Sequence, residues 1–330
     1  MHQHGIKQET LMKQHTLDSQ NMAKAIYDFP QQLNHALEIS EGFVSGHQGR
    51  DIRNIIVIGM GGSAIGGDVC KVLLGNDLTV PMVISRNYLI PNWVNEYSMV
   101  ICSSYSGNTE ETLSAFTDAK EKGALICGIS TGGKLTDRLN EINADIIQIP
   151  AGLQPRAALA YSVVPMLSIL ESFVGIGSYV LDEIPKISVL LSDKRDTYCQ
   201  EDQSNPTYQL ASEIFQTLPI IYGTTETTAI AALRMKGQLC ENGDMLAYHN
   251  ELPEINHNEI VGWENNSSLF DRFSVIWLTD GQDHSRVQLR QNITRKLIAS
   301  KNVPNHTISV SGSTASERFL HLIHFGDWVS

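Results

Sequence analysis

The sequence predicts an α/β protein built on two parallel sheets, each covered by helices on both faces. Short apolar runs of strand type alternate with helical stretches. Several of these runs end in glycine-rich or hydroxyl-rich turns leading straight into a helix, and the alternation starts afresh in the second half. A strand buried on both faces reads as a continuous apolar run, and a helix between successive strands lets them pair in parallel. The repeated rhythm points to duplication of one sheet unit.

Residues 1 to about 16 are polar and expected to be mobile. Asp18 is placed to cap a helix through Met22, Ala25, Ile26, Phe29, Leu33 and Leu37, with Pro30 as a kink or break. The run Ile55-Ile-Val-Ile58 then meets the turn Gly59-Met-Gly-Gly-Ser-Ala-Ile-Gly-Gly67 ahead of a helix over Asp68 to Leu74. Further strands are expected at Pro81 to Ser85, Met99 to Cys102, Ala124 to Ser130 and Asp145 to Ile149. A loop at Pro150 to Arg156 precedes an apolar helix over Ala157 to Phe173. The charged stretch Asp193 to Pro206 reads as an interdomain linker. The division is therefore 1–192 and 193–330. The second series comprises helices at Thr207 to Gln216, Thr227 to Leu239 and Gln288 to Ser300, with strands at Leu218 to Gly223, Phe273 to Leu278 and Thr307 to Val310. The last segment, Ser316 to Ser330, reads as an amphipathic helix without C-terminal capping residues, so the chain is expected to continue.

At 330 residues, 42% hydrophobic and 18% charged, the composition is that of a globular protein of two domains or one large α/β body. A formal charge of -12 argues against nucleic-acid binding and offers no polybasic surface to a membrane. An anionic ligand would have to be held by local donors. Five cysteines stand singly, which suits a reducing compartment. The N-terminus lacks the apolar core of a signal peptide, no run approaches a membrane span, and a cytoplasmic protein is expected.

The first half is organised around Ile101-Cys-Ser-Ser-Tyr-Ser-Gly-Asn-Thr-Glu-Glu-Thr112, where strand gives way to helix across a hydroxyl-rich turn. Such a junction aims backbone N–H groups and the positive end of the helix dipole at one point, and Ser104, Ser106 and Thr109 add side-chain donors. An anion fits there; the alternative for these residues and Ser63 is plain turn and cap chemistry. Gly59-Met-Gly-Gly-Ser-Ala64 also satisfies the G-x-G-x-x-A dinucleotide fingerprint. The acidic residue expected about 20 positions on is missing, however, and the next strand ends Ser85-Arg-Asn87. Two adjacent anion turns suit one compact phosphate ester better than a dinucleotide. Arg156 is either a surface arginine or a cation facing the pocket. The stretch Cys240 to Glu259 gathers Glu241, His249, Glu251, Glu254, Asn256, His257 and Asn258. It reads as an idle polar loop, as a metal site lacking diagnostic spacing, or as carboxylate and imidazole equipment for proton transfer, with Asn256 and Asn258 orienting His257. His284, His306, His321 and His324 are expected on surfaces or satisfied within helices.

Together these motifs resemble the bifunctional phosphoglucose/phosphomannose isomerase family, whose members contain two sugar-isomerase (SIS) domains. The resemblance runs from about Met22 to Ser330 and rests on Gly59 to Gly67, Ser104 to Glu111, Gly152-Leu-Gln-Pro-Arg156 and Pro253-Glu-Ile-Asn-His-Asn-Glu259. It implies that Gly61, Gly62, Ser63, Ser104, Ser106 and Thr109 hold the sugar phosphate, that Arg156 lies beside the reacting carbons, and that Glu241 is the base. It further implies that His257 opens the sugar ring in the site of a partner subunit, so that the protein is a homodimer. The expected reaction interconverts glucose 6-phosphate or mannose 6-phosphate with fructose 6-phosphate through an enediol, with no metal or other cofactor. The rivals are a non-catalytic sugar-phosphate-binding SIS sensor and a nucleotide-dependent oxidoreductase. Two departures stand out. Cys240 occupies a position where relatives carry Asn or a similar polar residue. Relatives also continue beyond the segment matching Gly326 to Ser330 into a helix and a tail bearing a lysine that assists catalysis and a threonine at the sugar site. That tail is missing from these 330 residues, and a truncated chain is the expectation.

Overall fold

The computed structural model describes residues 18–47, 49–265 and 267–330, so the polar N-terminal stretch lies outside the described residues. Two compact units emerge, one of residues 28–188 and the other of residues 189–330 together with residues 18–27.

The first unit holds a five-stranded parallel sheet of β1 (Asn54–Ile58), β2 (Met82–Ser85), β3 (Ser98–Ser104), β4 (Leu125–Ser130) and β5 (Asp145–Gln148), in the order β2-β1-β3-β4-β5. Every residue of β3 and β4 is buried, which is why these segments read as unbroken apolar runs. One layer of core packs Ile56, Val100 and Ile126 against Phe116, Leu135 and Leu139 of the covering helices. Each such fully buried Leu or Ile contributes about 1.5–3 kcal/mol.

The second unit holds β6 (Leu218–Thr224), β7 (Tyr248–Leu252), β8 (Phe273–Leu278) and β9 (Asn305–Ile308), all parallel in the order β7-β6-β8-β9. This repeats the first four strands of the first sheet, as the duplicated rhythm predicts. Its core centres on Tyr222 and Trp277, whose ring centroids are 4.8 Å apart.

Four local expectations change. The glycine turn is mostly helix: the Gly61–Leu74 helix begins inside it, because Gly62, Gly66 and Gly67 are positions of close approach rather than of turning. The charged stretch from Asp193 is no linker at its start, since the Ser178–Tyr198 helix runs through it, with Arg195 buried and donating to the Tyr27 carbonyl (2.8 Å). β7 lies in the polar stretch, being an edge strand whose first residues are exposed and need no apolar pattern. The Ala315–Val329 helix is buried on nearly all sides rather than amphipathic, and a Thr314/Glu317 capping box starts it. Asp18 does cap the Met22–Tyr27 helix, through Met22 N–H (2.6 Å) and Ala23 N–H (2.9 Å). The chain breaks at Asp28 before the Phe29–Ser40 helix, as Pro30 foretold.

Candidate active site

The strand order of the first sheet reverses between β1 and β3, and a ligand crevice forms where the helices after two such strands leave in opposite directions. The glycine segment follows β1 and the Ser104–Thr109 turn follows β3, so both anion-type motifs lie at the carboxyl ends of the two strands flanking that point. The helices that start there, Gly61–Leu74 and Glu110–Glu121, carry no side-chain cap, leaving first-turn N–H groups for an outside acceptor.

The cradle is built around Tyr105. Its N–H donates to Ser63 Oγ (3.1 Å), its carbonyl accepts from Thr131 Oγ1 (2.7 Å), and its phenol oxygen accepts from Leu153 N–H (2.8 Å). One residue thus ties the glycine segment, the hydroxyl turn and the Q-P-R loop together. Ser104 Oγ lies 2.9 Å from Thr109 Oγ1 and accepts from Gly107 N–H (3.1 Å), while Ser106 Oγ accepts from Asn108 N–H (3.2 Å). Ser63 and Ser104 are buried, Thr109 is half-buried, and Ser106 and Gly61 are exposed. Gly107 needs its φ of +67° and its bare Cα, since a Cβ there would lie 1.7 Å from the Gly132 carbonyl oxygen. The Pro155–Ala157 turn presses on Gly62 so closely that a Cβ would come within 2.4 Å of the Pro155 oxygen, which brings the backbone of Arg156 to the cradle. Arg156 itself is half-buried. The end of β2, where a dinucleotide fold would carry its ribose-binding acid, carries Arg86 instead, paired with Asp68.

Glu241 and His257 belong to the other unit. Glu241 is exposed, one residue from the end of the Thr228–Asn242 helix. That helix is pinned by a buried bidentate pair, with Arg234 Nε and Nη2 donating to Asp327 Oδ1 and Oδ2 at 2.9 and 2.7 Å. Asn242 Nδ2 also donates to Ser330 Oγ (2.9 Å). His257 is exposed and follows the short Glu254–Asn256 turn. Asn256 and Asn258 do not orient it: Asn256 Nδ2 donates to Thr294 Oγ1 (2.7 Å), and Asn258 Nδ2 donates to Glu254 Oε1 (2.7 Å). The loop is anchored rather than idle, because the Glu259 carboxylate accepts from the buried Tyr222 hydroxyl and from Asn250 Nδ2 (2.5 Å). Burial, with the adjacent Glu259 charge, pushes the Tyr222 phenol far above its usual range. Among the described residues no His/Cys/Asp/Glu cluster is placed to hold a metal ion.

The second unit's equivalent crevice is filled from within. Asp283 lies beyond the end of β8, and its carboxylate accepts from Thr224 Oγ1 (2.9 Å), Asp280 N–H (3.3 Å) and Thr227 Oγ1 (3.4 Å). Burial pushes its pKa up, against these hydrogen bonds. Ser309-Val-Ser-Gly-Ser-Thr314 repeats the pattern Ser104-Tyr-Ser-Gly-Asn-Thr109, but there the Glu317 carboxylate accepts from the Ser313 and Thr314 N–H groups. In the second unit Asp283 fills the end of the β6/β8 switch and Glu317 caps the helix after β9, while the Thr228–Asn242 helix, like the two that open on the first unit's crevice, carries no side-chain cap.

The bifunctional phosphoglucose/phosphomannose isomerase of Caldicellulosiruptor bescii is 41% identical over 311 residues, spanning 94% of this chain and 91% of that protein. The chain belongs to that family. The Aquifex aeolicus protein of the same name is 34% identical over 306 residues, covering 90% of this chain and 91% of its own. Residues 203–330 match the family model described as the bacterial phospho-glucose isomerase C-terminal SIS domain. The same fold, at a TM-score of 0.65 and 14% identity, is found in the C-terminal domain of glucosamine-fructose-6-phosphate aminotransferase from Francisella tularensis, over 93% of each chain. For this phosphoglucose/phosphomannose isomerase family member, sequence reasoning missed Tyr105, Asp283 and the Arg234–Asp327 pair. Tyr105 sits inside a motif already singled out; the others announce themselves only through contacts distant in sequence.

Proposed function

We propose that the protein interconverts glucose 6-phosphate and mannose 6-phosphate with fructose 6-phosphate. The observation that carries this reading is the uncapped cradle at the β1/β3 crevice, assembled around Tyr105 in a chain of this family. The expected domain division at 192 and 193 assigns phosphate binding to the first domain and the base to the second. Gly61, Gly62, Ser63, Ser104, Ser106 and Thr109 hold the phosphate. His257 moves a proton between the anomeric hydroxyl and the ring oxygen, opening the sugar. Glu241 then takes the proton from C-2 of the aldose to give an enediol and returns it to C-1, forming the ketose. Arg156 stabilises the negative charge that develops on the oxygens. The step shifts a proton between neighbouring carbons and consumes no oxidant. Glucose and mannose 6-phosphate differ only at C-2, which becomes planar in the enediol, so rotation of the open chain in the pocket presents either face of C-2 to Glu241 and yields both aldoses.

The working form in this reading is a cytoplasmic homodimer in which His257 serves the partner's site. The exposure of His257 on its own chain supports that role. Glu241→Gln tests the assignment: turnover should vanish while sugar-phosphate affinity stays within a few-fold, and near-normal turnover would remove Glu241 from the mechanism.

A further inference from the structure

A cavity of about 440 Å³ opens beside β9 in the second unit, within the size range of small-molecule sites. β9 is the last strand of its sheet. Its sheet-side carbonyls accept from β8 and the residue after it, through Val275 N–H to Pro304 O (2.8 Å) and Thr279 N–H to Ile308 O (3.0 Å). The alternate residues Thr307 and Ser309, which line the cavity, therefore turn their backbone N–H and C=O groups away from the sheet. The facing wall comes from the Ser178–Tyr198 and Pro206–Ile214 helices, with Lys194, Tyr198, Gln209, Leu210 and Glu213, whose carboxylate is 3.0 Å from His306 Nδ1, and Phe325 of the Ala315–Val329 helix adds apolar surface. Lys194 has no carboxylate partner among the described residues. His321 Nδ1 lies 2.7 Å from the Ser311 carbonyl, so it carries the proton and Nε2 accepts from the Tyr198 hydroxyl (2.7 Å). The Tyr198 oxygen keeps its lone pairs for a further donor.

We propose that this cavity binds a small organic anion, one carboxylate or phosphate ester on a compact apolar body, with the charged group at Lys194 and the outward N–H groups of β9 and the body against Leu210 and Phe325. The site is distinct from the crevice of the first unit, and its occupancy bears on the catalytic helix. Phe325 and His321 share a helix with Asp327, and Ser330 follows its end; these two grip Arg234 and Asn242 on the helix carrying Glu241. A ligand pressing on Phe325 therefore acts on the helix that positions the base.

Phenyl phosphate, titrated by calorimetry into the full chain, tests the proposal. The wild-type protein should show a saturable site that survives Ser104→Ala, a substitution confined to the first unit's cradle. Lys194→Glu should weaken that site at least about tenfold, the loss expected for one charge-assisted hydrogen bond, with an unchanged melting temperature. Gln209→Trp, which places bulk in the cavity, should weaken it as well. Absence of saturable binding up to about 10 mM would overturn the proposal. So would binding lost in Ser104→Ala yet untouched by Lys194→Glu and Gln209→Trp, because it would place phenyl phosphate in the cradle alone.

Discussion

Replacing Gly62 with alanine would place a methyl group 2.4 Å from the Pro155 carbonyl oxygen and 3.3 Å from the Arg156 Cα. The first distance is roughly 1 Å short of an ordinary contact of about 3.5 Å. Both partners are backbone, so no side-chain rotation can relieve the clash. Either the Q-P-R turn withdraws or the start of the Gly61–Leu74 helix slides, and both motions part Arg156 from the cradle at the β1/β3 crevice. Overpacking of this kind costs about 1–3 kcal/mol of stability. A displacement of about 1 Å in a catalytic constellation costs on the order of 100-fold in rate. Gly237→Ala is the control: it lies within the Thr228–Asn242 helix with nothing near its missing Cβ. Alanine there should gain up to about 1 kcal/mol in helix propensity and leave the rate alone. The assay is kcat/KM for fructose 6-phosphate alongside thermal unfolding of both variants. A folded Gly62→Ala enzyme with kcat/KM within about twofold of wild type would refute the claim that this contact fixes the site.

Three further outcomes follow from the contacts. Ser104→Ala removes a side-chain acceptor of Gly107 N–H, which keeps the Ser104 carbonyl, and the partner of Thr109, and should raise KM for the sugar phosphate by about tenfold with a smaller change in kcat; an unchanged KM would exclude Ser104 from phosphate binding. Asp327→Ala leaves Arg234 buried without its carboxylate and should cost about 3–5 kcal/mol in denaturant unfolding, whereas the double replacement Arg234→Met with Asp327→Leu should recover most of it. A loss for Asp327→Ala below about 1 kcal/mol would mean that the pair behaves like an exposed one. His324 is fully buried, with its Nε2 3.1 Å from the Ile26 carbonyl oxygen and 3.0 Å from the Trp328 indole nitrogen. Burial, reinforced by His321, Arg195 and Arg234, lowers its pKa to about 3 from 6.5. A depressed folded-state value means that stability is full above pH 6.5 and drains away as pH falls towards 3. By pH 5 the loss should be about 2 kcal/mol, read from unfolding at pH 7.5 and pH 5. His324→Gln should flatten that slope, and an unaltered slope would assign the effect to other groups.

Much of this architecture was legible in the sequence because buried parallel strands cannot hide: β1, β3, β4 and β8 are runs of Ile, Val, Met, Leu and Trp with no polar alternation. β7 escaped because an edge strand is held by backbone pairing, and its Tyr-His-Asn-Glu run carries no hydrophobic signature. The glycine segment is visible as a motif but reads as a turn. Glycine disfavours a helix on propensity alone, and only the closeness of Pro155, Ser162 and Val57 explains why helix prevails. Ser63, Ser104 and Thr109 stand at the crevice, as their strand-to-helix setting suggests. The organising role of Tyr105 was not legible, since it depends on Leu153, which is 48 residues away in sequence. Asn256 and Asn258 flank His257, which suggests that they orient it; neighbours along an irregular loop need not point the same way, and these two turn to Thr294 and Glu254. His321 does lie satisfied within a helix, with the Ser311 carbonyl at Nδ1 and the Tyr198 hydroxyl at Nε2, and both it and His324 are buried far more deeply than a lone histidine ordinarily is.

The central claim is isomerisation between C-1 and C-2 with access to both aldose products. The measurement that tests it most directly is incubation of the purified chain with fructose 6-phosphate, with glucose 6-phosphate and mannose 6-phosphate read in separate coupled reactions. Formation of both, each abolished by Glu241→Gln, is the predicted result. Formation of neither, with sugar-phosphate binding intact by calorimetry, would contradict it and leave a binding protein built on an isomerase fold.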